Sequence, residues 1–215
     1  MTKPWHVIGC RGCGSTIVEA ALILTGVPYE REEIDYDVKG PKRDRLLALN
    51  PLGQVPTVVL PDGSVMTESA AIVLYLDETY SAVRLLPAIG EPVRREALRW
   101  LVFMIAAIYP TFTYGDEPEK WIGDAGPLLR EATHGHRRAL WKQLEGVAKA
   151  PWFLGETRSV IDVYIGVMTH WRPRREWFAA ECPKLAAIAR AIDADPRLTK
   201  LLAANFDEPP ALAIP

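Results

Sequence analysis

The sequence has few cysteines and almost no net charge. Three cysteines in 215 residues are too few for a disulfide framework, and this count favours a reducing, cytoplasmic compartment. The 25 basic and 27 acidic side chains give a formal net charge of −2. Because neutralising phosphates requires a basic surplus or patch, this balance argues against a nucleic-acid partner and favours a small molecule.

We also expect no segment that would direct the chain to a membrane. Residues 1–10 lack a basic region followed by an apolar stretch, so we expect no signal peptide. We expect no apolar run to approach the roughly 18 residues that span a bilayer, and hence no membrane partner. The chain contains 49% hydrophobic and 24% charged residues, which is typical of a folded globular protein.

The first third of the chain predicts a small α/β domain. Short apolar or alternating segments follow amphipathic ones in the order βαβαββα, a βαβ unit followed by a hairpin and a helix. Pro61-Asp62-Gly63 marks the hairpin turn. The predicted strands are 5–9, 29–36, 57–60 and 64–66, and the predicted helices are 15–25, 43–49 and 69–77.

The remainder of the chain predicts helices almost exclusively. Residues 82–91 contain Pro87 and Gly90, which break the pattern, and are interpreted as a linker between domains 1–81 and 92–215. The predicted fold is therefore α/β followed by all-α. The predicted helices of the second domain are 92–108, 128–148, 160–168, 185–193 and 198–203. Ser159-x-x-Asp162 fits a capping box at the start of the third of these.

The segment Asn50–Thr57 is the most informative stretch. Val55-Pro56 stands directly before a predicted strand, where a proline belongs because it cannot donate to a sheet ladder. A cis bond here would leave the Val55 backbone groups turned outward, ready to pair with an extended peptide ligand. A plain trans proline at a strand start is the alternative, since only about 5% of X–Pro bonds are cis.

A second candidate site opens the helix after the hairpin. Thr67-Glu68-Ser69 precedes that helix, whose N-terminus offers free N–H groups and a positive dipole end. Ser69 could hold a carboxylate and Glu68 an ammonium, which together suit the α-amino-acid end of a ligand. The alternative is an N-cap pair without a ligand role.

These motifs together resemble the cytosolic glutathione transferases of bacterial type, and the resemblance covers nearly the whole chain. The segments that carry it are 50–57, Glu68-Ser69-Ala70-Ala71-Ile72, Val27-Pro28-Tyr29-Glu30 and Ser159-Val160-Ile161-Asp162. The resemblance implies a thioredoxin-like N-terminal domain of order βαβαββα, an all-helical C-terminal domain, glutathione as co-substrate and a homodimer. It also implies conjugation of glutathione to a small hydrophobic electrophile, a detoxification chemistry.

The resemblance assigns glutathione contacts to particular residues. The Val55 backbone, before a cis Pro56, would pair with the cysteinyl part of glutathione. Glu68 and Ser69 would hold the γ-glutamyl end. Gln54 and Lys42 would lie near the glycine end.

The loop Cys10–Ser15 would determine the reaction type, because in this family a hydroxyl or thiol here faces the glutathione sulfur. The position of a catalytic tyrosine falls near Ile8, which is aliphatic. The candidates are therefore Cys10, Cys13 and Ser15. Cys10 and Cys13 also form a CxxC pair, which raises a redox interpretation, although Arg11 and the glycines depart from the usual redox dipeptide. Both cysteines could instead be small loop residues.

Two further expectations concern ligands. Tyr109 and Phe112 would line the apolar wall of the electrophile site, although core packing is the alternative. No Cys or His pair accompanies Cys10 and Cys13 at metal-ligand spacing, so we expect no metal.

Three functions therefore compete. The leading hypothesis is a glutathione transferase. The second is a glutathione-dependent thiol–disulfide oxidoreductase using Cys10 or Cys13, and the third is a non-catalytic binding protein with the same fold.

Overall fold

The computed structural model describes residues 3–35, 38–80 and 82–207. The chain forms two compact units, Met1–Leu85 with Ile192–Pro215 and Leu86–Ala191. The division falls inside the predicted linker 82–91. Residues from Ile192 onward, predicted with the helical domain, group with the first unit instead. The domain boundaries themselves stay a prediction.

A four-stranded mixed sheet forms the centre of the first unit, with strands in the order β2-β1-β3-β4. Strand β1 pairs parallel with β2 and antiparallel with β3, and β3 pairs antiparallel with β4. The bounds of the strands are β1 Trp5–Gly9, β2 Tyr29–Glu33, β3 Thr57–Val59 and β4 Val65–Met66. Tyr36, the predicted end of the second strand, lies outside the described residues.

The helices of the first unit confirm the predicted order βαβαββα. Helix α1 ends where predicted because Gly26, at φ +71°, adopts the left-handed conformation that closes a helix. Its buried face packs against α3. The bounds are α1 Ser15–Thr25, α2 Pro41–Leu49, α3 Ser69–Thr79 and, from the C-terminal segment, α11 Thr199–Phe206.

The second unit is helical, as predicted, with more helices than expected. Helix α4 (Pro92–Phe103) continues through a π-helical turn at Met104–Ile108 into α5. The segments 109–115, 119–122 and 174–181 are helical without having been predicted so. The other bounds are α5 Tyr109–Gly115, α6 Glu119–Ile122, α7 Gly126–Val147, α8 Val160–Met168, α9 Arg174–Glu181 and α10 Pro183–Asp193, with a 3₁₀ turn at Gly123–Ala125.

The predicted capping box is confirmed at the start of α8. The Asp162 carboxylate accepts hydrogen bonds from the backbone N–H groups of Ser159 and Phe153, each at 2.7 Å. Asp162 is completely buried, and burial raises its pKa. The motif therefore anchors the preceding loop onto an apolar helix, as a folding element.

One expectation about membranes needs correction. The continuous helix Pro92–Gly115 is 24 residues long and contains an 18-residue window of mean hydropathy 1.3, of which 39% is buried. By length and composition it meets the criterion for a membrane span, whereas the sequence analysis expected no run of that length. Core helices of proteins outside membranes meet the same criterion, so this helix is weak evidence for a span.

Candidate functional site

The pairing of the strands brings three loops to one edge of the sheet. In the antiparallel pair, Ile8 near the end of β1 lies opposite Thr57 at the start of β3. In the next pair, Val58 lies opposite Met66, the last residue of β4. The loop after β1, the segment before β3 and the segment after β4 therefore meet at this edge. The motifs around Cys10, Val55 and Glu68 occupy these three places.

The Val55–Pro56 peptide bond is cis, as the resemblance implied. The Val55 side chain packs against the buried cluster of Ile8, Ile34 and Leu46. In the described part of the chain, the backbone N–H and C=O of Val55 make no hydrogen bond. Both groups can therefore pair with an extended peptide-like ligand at this edge, in the manner of an added strand.

A polar network missed by the sequence analysis holds this segment in place. The buried amide of Asn50 donates to the carbonyl of Gln54 at 3.0 Å and to the Thr57 hydroxyl at 3.2 Å. The Thr57 hydroxyl in turn donates to the Gln54 carbonyl at 2.9 Å. Every buried polar group in the network therefore has a partner, which fixes the backbone on both sides of Val55.

Arg43, also missed, supports the same loop from helix α2. Its guanidinium donates to the Gly53 carbonyl at 2.5 Å. Gly53 has φ +62°, and a Cβ atom there would overlap the Arg43 side chain. This position therefore favours glycine for its backbone conformation, and a side chain there would displace the flexible end of Arg43.

Glu68 lies immediately before helix α3 in a rare backbone conformation, φ +63° and ψ +105°. Its side chain is exposed, whereas Ser69, the first residue of the helix, is buried. Residues held in sparsely populated conformations cluster at ligand sites, because only the surrounding structure can maintain the strain. The first N–H groups of α3 also lie here, where they favour an anion.

The loop after β1 contains the three candidate reacting groups. Cys10 and Cys13 are half-buried and are paired as a disulfide, with Cα atoms 5.5 Å apart. Ser15 is completely buried, and its hydroxyl donates to the Cys10 carbonyl at 3.2 Å. This placement suits a residue that shapes the loop, whereas the two sulfur atoms are more accessible.

The C-terminal segment is hydrogen-bonded to the same loop. The Gly12 N–H donates to the Asn205 side chain at 3.1 Å, and the Arg11 guanidinium donates to the Asp207 carbonyl. Gly12 adopts φ +69°, a conformation open to glycine. Asn205 lies on α11, which packs against α1. No local sequence pattern indicated this contact.

The two residues predicted at the glycine end are both exposed. Lys42 lies at the start of α2 and donates to the Glu33 carbonyl at 2.8 Å, at the end of β2. Because β2 runs parallel to β1, this end of β2 lies at the same edge as the loops described above. Gln54 lies directly before Val55, and its backbone carbonyl is used by Asn50. The ligand roles of all these residues stay predictions.

Tyr109 and Phe112 belong to an aromatic cluster in the second unit. Their ring centroids lie 5.5 Å and 5.2 Å from that of Trp171, in edge-to-face arrangements. Such contacts stabilise the pairs beyond the area that they bury. Trp171 is a member that the sequence analysis did not place with them.

A buried arginine supports this cluster. The Arg137 guanidinium carbon lies 3.7 Å from the Phe112 ring centroid. Its nitrogens donate to the Thr111 hydroxyl at 2.8 Å and the Thr111 carbonyl at 2.5 Å. Arg137 is 1% exposed, and burial lowers its pKa to about 10. This cation therefore holds one face of Phe112.

Within the described residues, no group of three or more His, Cys, Asp or Glu side chains is arranged to hold a metal ion.

Comparisons with known proteins identify relatives of this chain. The family model described as the N-terminal domain of glutathione S-transferase matches residues 15–79, a span that begins after Cys13. An uncharacterized GST-like protein from Escherichia coli K12, YncG, is 37% identical over 201 residues, covering 93% of this chain and 97% of its own. A maleylacetoacetate isomerase from Rhizobium meliloti is 31% identical over 187 residues, covering 84% and 86%.

The fold is shared with solved structures. A glutathione transferase homologue from Sulfitobacter with bound glutathione superposes with a TM-score of 0.82 at 18% identity, covering 96% of this chain and 100% of the other. The predicted thioredoxin-like and all-helical architecture is thereby confirmed. With 37% identity over nearly its whole length to a GST-like protein, the chain belongs to the glutathione S-transferase family.

Proposed function

We propose that this protein is a cytoplasmic, homodimeric glutathione transferase that conjugates the glutathione thiolate to a small apolar electrophile. One observation carries the proposal. The Val55 backbone, the N-terminus of α3 and the loop before α1 converge at one edge of the sheet. The Val55 backbone offers unpaired N–H and C=O groups. The N-terminus of α3 offers an anion site beside the Glu68 carboxylate, and the loop before α1 carries two sulfur atoms.

The convergence fits the parts of glutathione in order. The cysteinyl backbone would pair with the N–H and C=O of Val55, while Pro56 closes the turn. The γ-glutamyl carboxylate would lie at Ser69 and its ammonium at Glu68. Gln54 and Lys42 would face the glycine carboxylate. Each of these pairings joins groups of complementary charge or hydrogen-bonding capacity.

The thiol of glutathione would then lie at the loop preceding α1. The positive end of the helix dipole favours a thiolate there. Each unit by which the thiol pKa falls corresponds to about 1.4 kcal/mol of preferential thiolate stabilisation. Cys10 and Cys13 are the half-buried sulfur-bearing side chains of this loop, and Ser15 orients the loop through the Cys10 carbonyl.

The aromatic cluster of Tyr109 and Phe112 is the proposed apolar wall for the electrophile. Its rings contact one another edge to face, and Arg137 holds the Phe112 ring in place. Aromatic and apolar side chains are the usual lining of small-molecule sites. Removing water from a thiolate strengthens its attack on an electrophilic carbon.

A second candidate reaction is an isomerisation. The relative from Rhizobium meliloti, 31% identical, is named as a maleylacetoacetate isomerase. We place both candidate reactions at the same proposed glutathione site, so the identity of the substrate distinguishes them.

Steady-state assays separate these candidates. We expect glutathione-dependent conjugation of 1-chloro-2,4-dinitrobenzene, which Glu68→Gln reduces. Turnover of maleylacetoacetate without conjugation would instead favour the isomerase. Absence of both activities, together with calorimetric evidence that glutathione binds, would contradict the proposal.

A further inference from the structure

The Cys10–Cys13 pair has a geometry suited to reversible disulfide chemistry. The Cα atoms lie 5.5 Å apart, inside the range of about 4.4–6.8 Å that disulfides require. The pair can therefore open and close without a large movement of the backbone. Both side chains are half-buried, so a dissolved disulfide can reach them.

The loop between the two cysteines is held from several sides. Gly12 is bonded to Asn205 and Arg11 to the Asp207 carbonyl, while Ser15 is bonded to the Cys10 carbonyl. These contacts use backbone groups and the side chains of Arg11, Ser15 and Asn205, and each sulfur atom also lies 3.7 Å from the Arg11 carbonyl oxygen. The loop is therefore preorganised whether the sulfurs are joined or separate.

The third cysteine provides an internal contrast. Cys182 is completely buried in the second unit, and burial raises the pKa of its thiol to about 12. Such a thiol forms little thiolate at neutral pH and is inert. Cys13, by contrast, is half-buried and stands two residues before the first residue of α1. The positive end of the helix dipole favours a thiolate there.

We propose that Cys10 and Cys13 form a dithiol–disulfide couple that reduces small organic disulfides, with Cys13 as the attacking thiolate. In the first step the Cys13 thiolate attacks one sulfur of R–S–S–R. The substrate S–S bond breaks, a Cys13–S–S–R bond forms, and RS⁻ leaves and takes up the proton that Cys13 had released.

The Cys10 thiolate then attacks the Cys13 sulfur. This step breaks the mixed disulfide, forms the Cys10–Cys13 bond and releases the second RS⁻, which is protonated by the proton from Cys10. The substrate gains two electrons and the dithiol loses two. Two glutathione molecules return these electrons by the same exchange and leave as glutathione disulfide. Only this regeneration half rests on the proposed glutathione site.

A single-turnover experiment without glutathione tests the couple. The purified chain is reduced, freed of reductant and mixed with excess bis(2-hydroxyethyl) disulfide, and released thiol and protein mass are measured. The wild type should release two thiols per chain and end as the internal disulfide. Cys10→Ser should release one and retain the adduct at Cys13, whereas Cys13→Ser should react at least about tenfold more slowly. Cys182→Ala, the matched control, should behave as the wild type.

The outcomes that overturn the proposal are distinct. Peptide mapping of the wild type that shows no Cys10–Cys13 bond after reaction would exclude the couple, even if a variant fails to fold. An adduct confined to Cys10 would contradict Cys13 as the attacking thiolate. Calorimetry with glutathione on the Cys10→Ser/Cys13→Ser double variant tests the binding site separately. Glutathione binding by this variant, with no redox cycling by the wild type, would overturn this inference alone. Redox cycling by the wild type, with no glutathione binding, would overturn the proposed function alone.

Discussion

The buried amide of Asn50 donates a hydrogen bond to the hydroxyl of Thr57 at 3.2 Å, joining the two ends of the loop that presents Val55. Asn50 is 4% exposed and Thr57 is completely buried. The first and last residues of the segment 50–57 thus support the proposed glutathione-binding edge.

Replacing Asn50 with Ala should weaken both folding and binding. The change leaves the Gln54 carbonyl and the Thr57 hydroxyl with fewer partners, which costs about 1–3 kcal/mol of unfolding free energy. Urea unfolding measures this cost, and calorimetry should show weaker glutathione binding. Leu52→Ala in the same loop is the control, because this side chain is 68% exposed. Equal effects of the two variants would contradict the support role of Asn50.

Two substitutions of Glu68 should separate binding from backbone strain. Glu68→Gln removes a charge that would face the glutathione ammonium, so the dissociation constant should rise about tenfold to a hundredfold. Glu68→Gly also removes the charge but relieves the positive φ, so it should weaken binding while leaving the unfolding free energy unchanged or higher. Unaltered affinity in both folded variants would remove Glu68 from the site.

A pH experiment distinguishes two roles for Ser15, orientation of the loop and direct donation to the thiol. If Ser15 orients the loop through the Cys10 carbonyl, Ser15→Ala should lower the conjugation rate modestly. The pH dependence of that rate should keep its midpoint, because the thiol loses no direct donor. The measurement is kcat/KM against pH for the two proteins. A midpoint raised by about one unit in Ser15→Ala would identify Ser15 as a direct donor to the thiol.

Arg137 should be sensitive even to a conservative change. Arg137→Lys keeps the charge but loses the planar fork that reaches Thr111 and packs on Phe112. We expect a loss of about 2–3 kcal/mol in the free energy of unfolding. Arg138→Lys, at an exposed neighbouring position on α7, should stay within about 0.5 kcal/mol of the wild type. Similar values for both would contradict the anchoring role.

His134 should make the stability of the protein depend on pH below about 6.5. Burial, followed by the charges of Arg137 and Arg172, lowers its pKa in the folded state, while Asp116 opposes the shift and Arg138 adds to it. The unfolded chain therefore binds a proton at a higher pH than the folded chain does. Stability falls as the pH drops through the unfolded pKa, and the loss is complete below the folded pKa.

His134→Gln should remove this component, so its unfolding free energy should fall less than that of the wild type between pH 7 and 5. Those pH limits bracket the ordinary histidine value of about 6.5. His136→Gln, exposed on the same helix, is the matched control. Parallel pH profiles for His134→Gln and the wild type would contradict the prediction.

Where local signals were complete, the sequence predicted the first and last residues of a helix. Helices α1 and α8 begin and end as predicted, because apolar periodicity coincides with Gly26 at one end and the Ser159 capping box at the other. Helices α5 and α9 were missed. Each is short and begins beside a proline, Pro110 or Pro173, so its pattern resembles a loop.

The same contrast holds for the candidate site. Each of the Val55 and Glu68 motifs is a continuous stretch of sequence, and the order of the strands places both at one edge of the sheet. The support of the loop at Gly12 comes from far along the chain, since the bond between Gly12 and Asn205 spans 193 positions. Only the folded structure brings such residues together, and a single sequence has no local pattern that reports them.

The structure of the chain with bound glutathione tests the central claim most directly. The proposal predicts the cysteinyl backbone within hydrogen-bonding distance of the N–H and C=O of Val55, and the γ-glutamyl end at Glu68 and Ser69. Glutathione bound at another surface, with these backbone groups unoccupied, would contradict it.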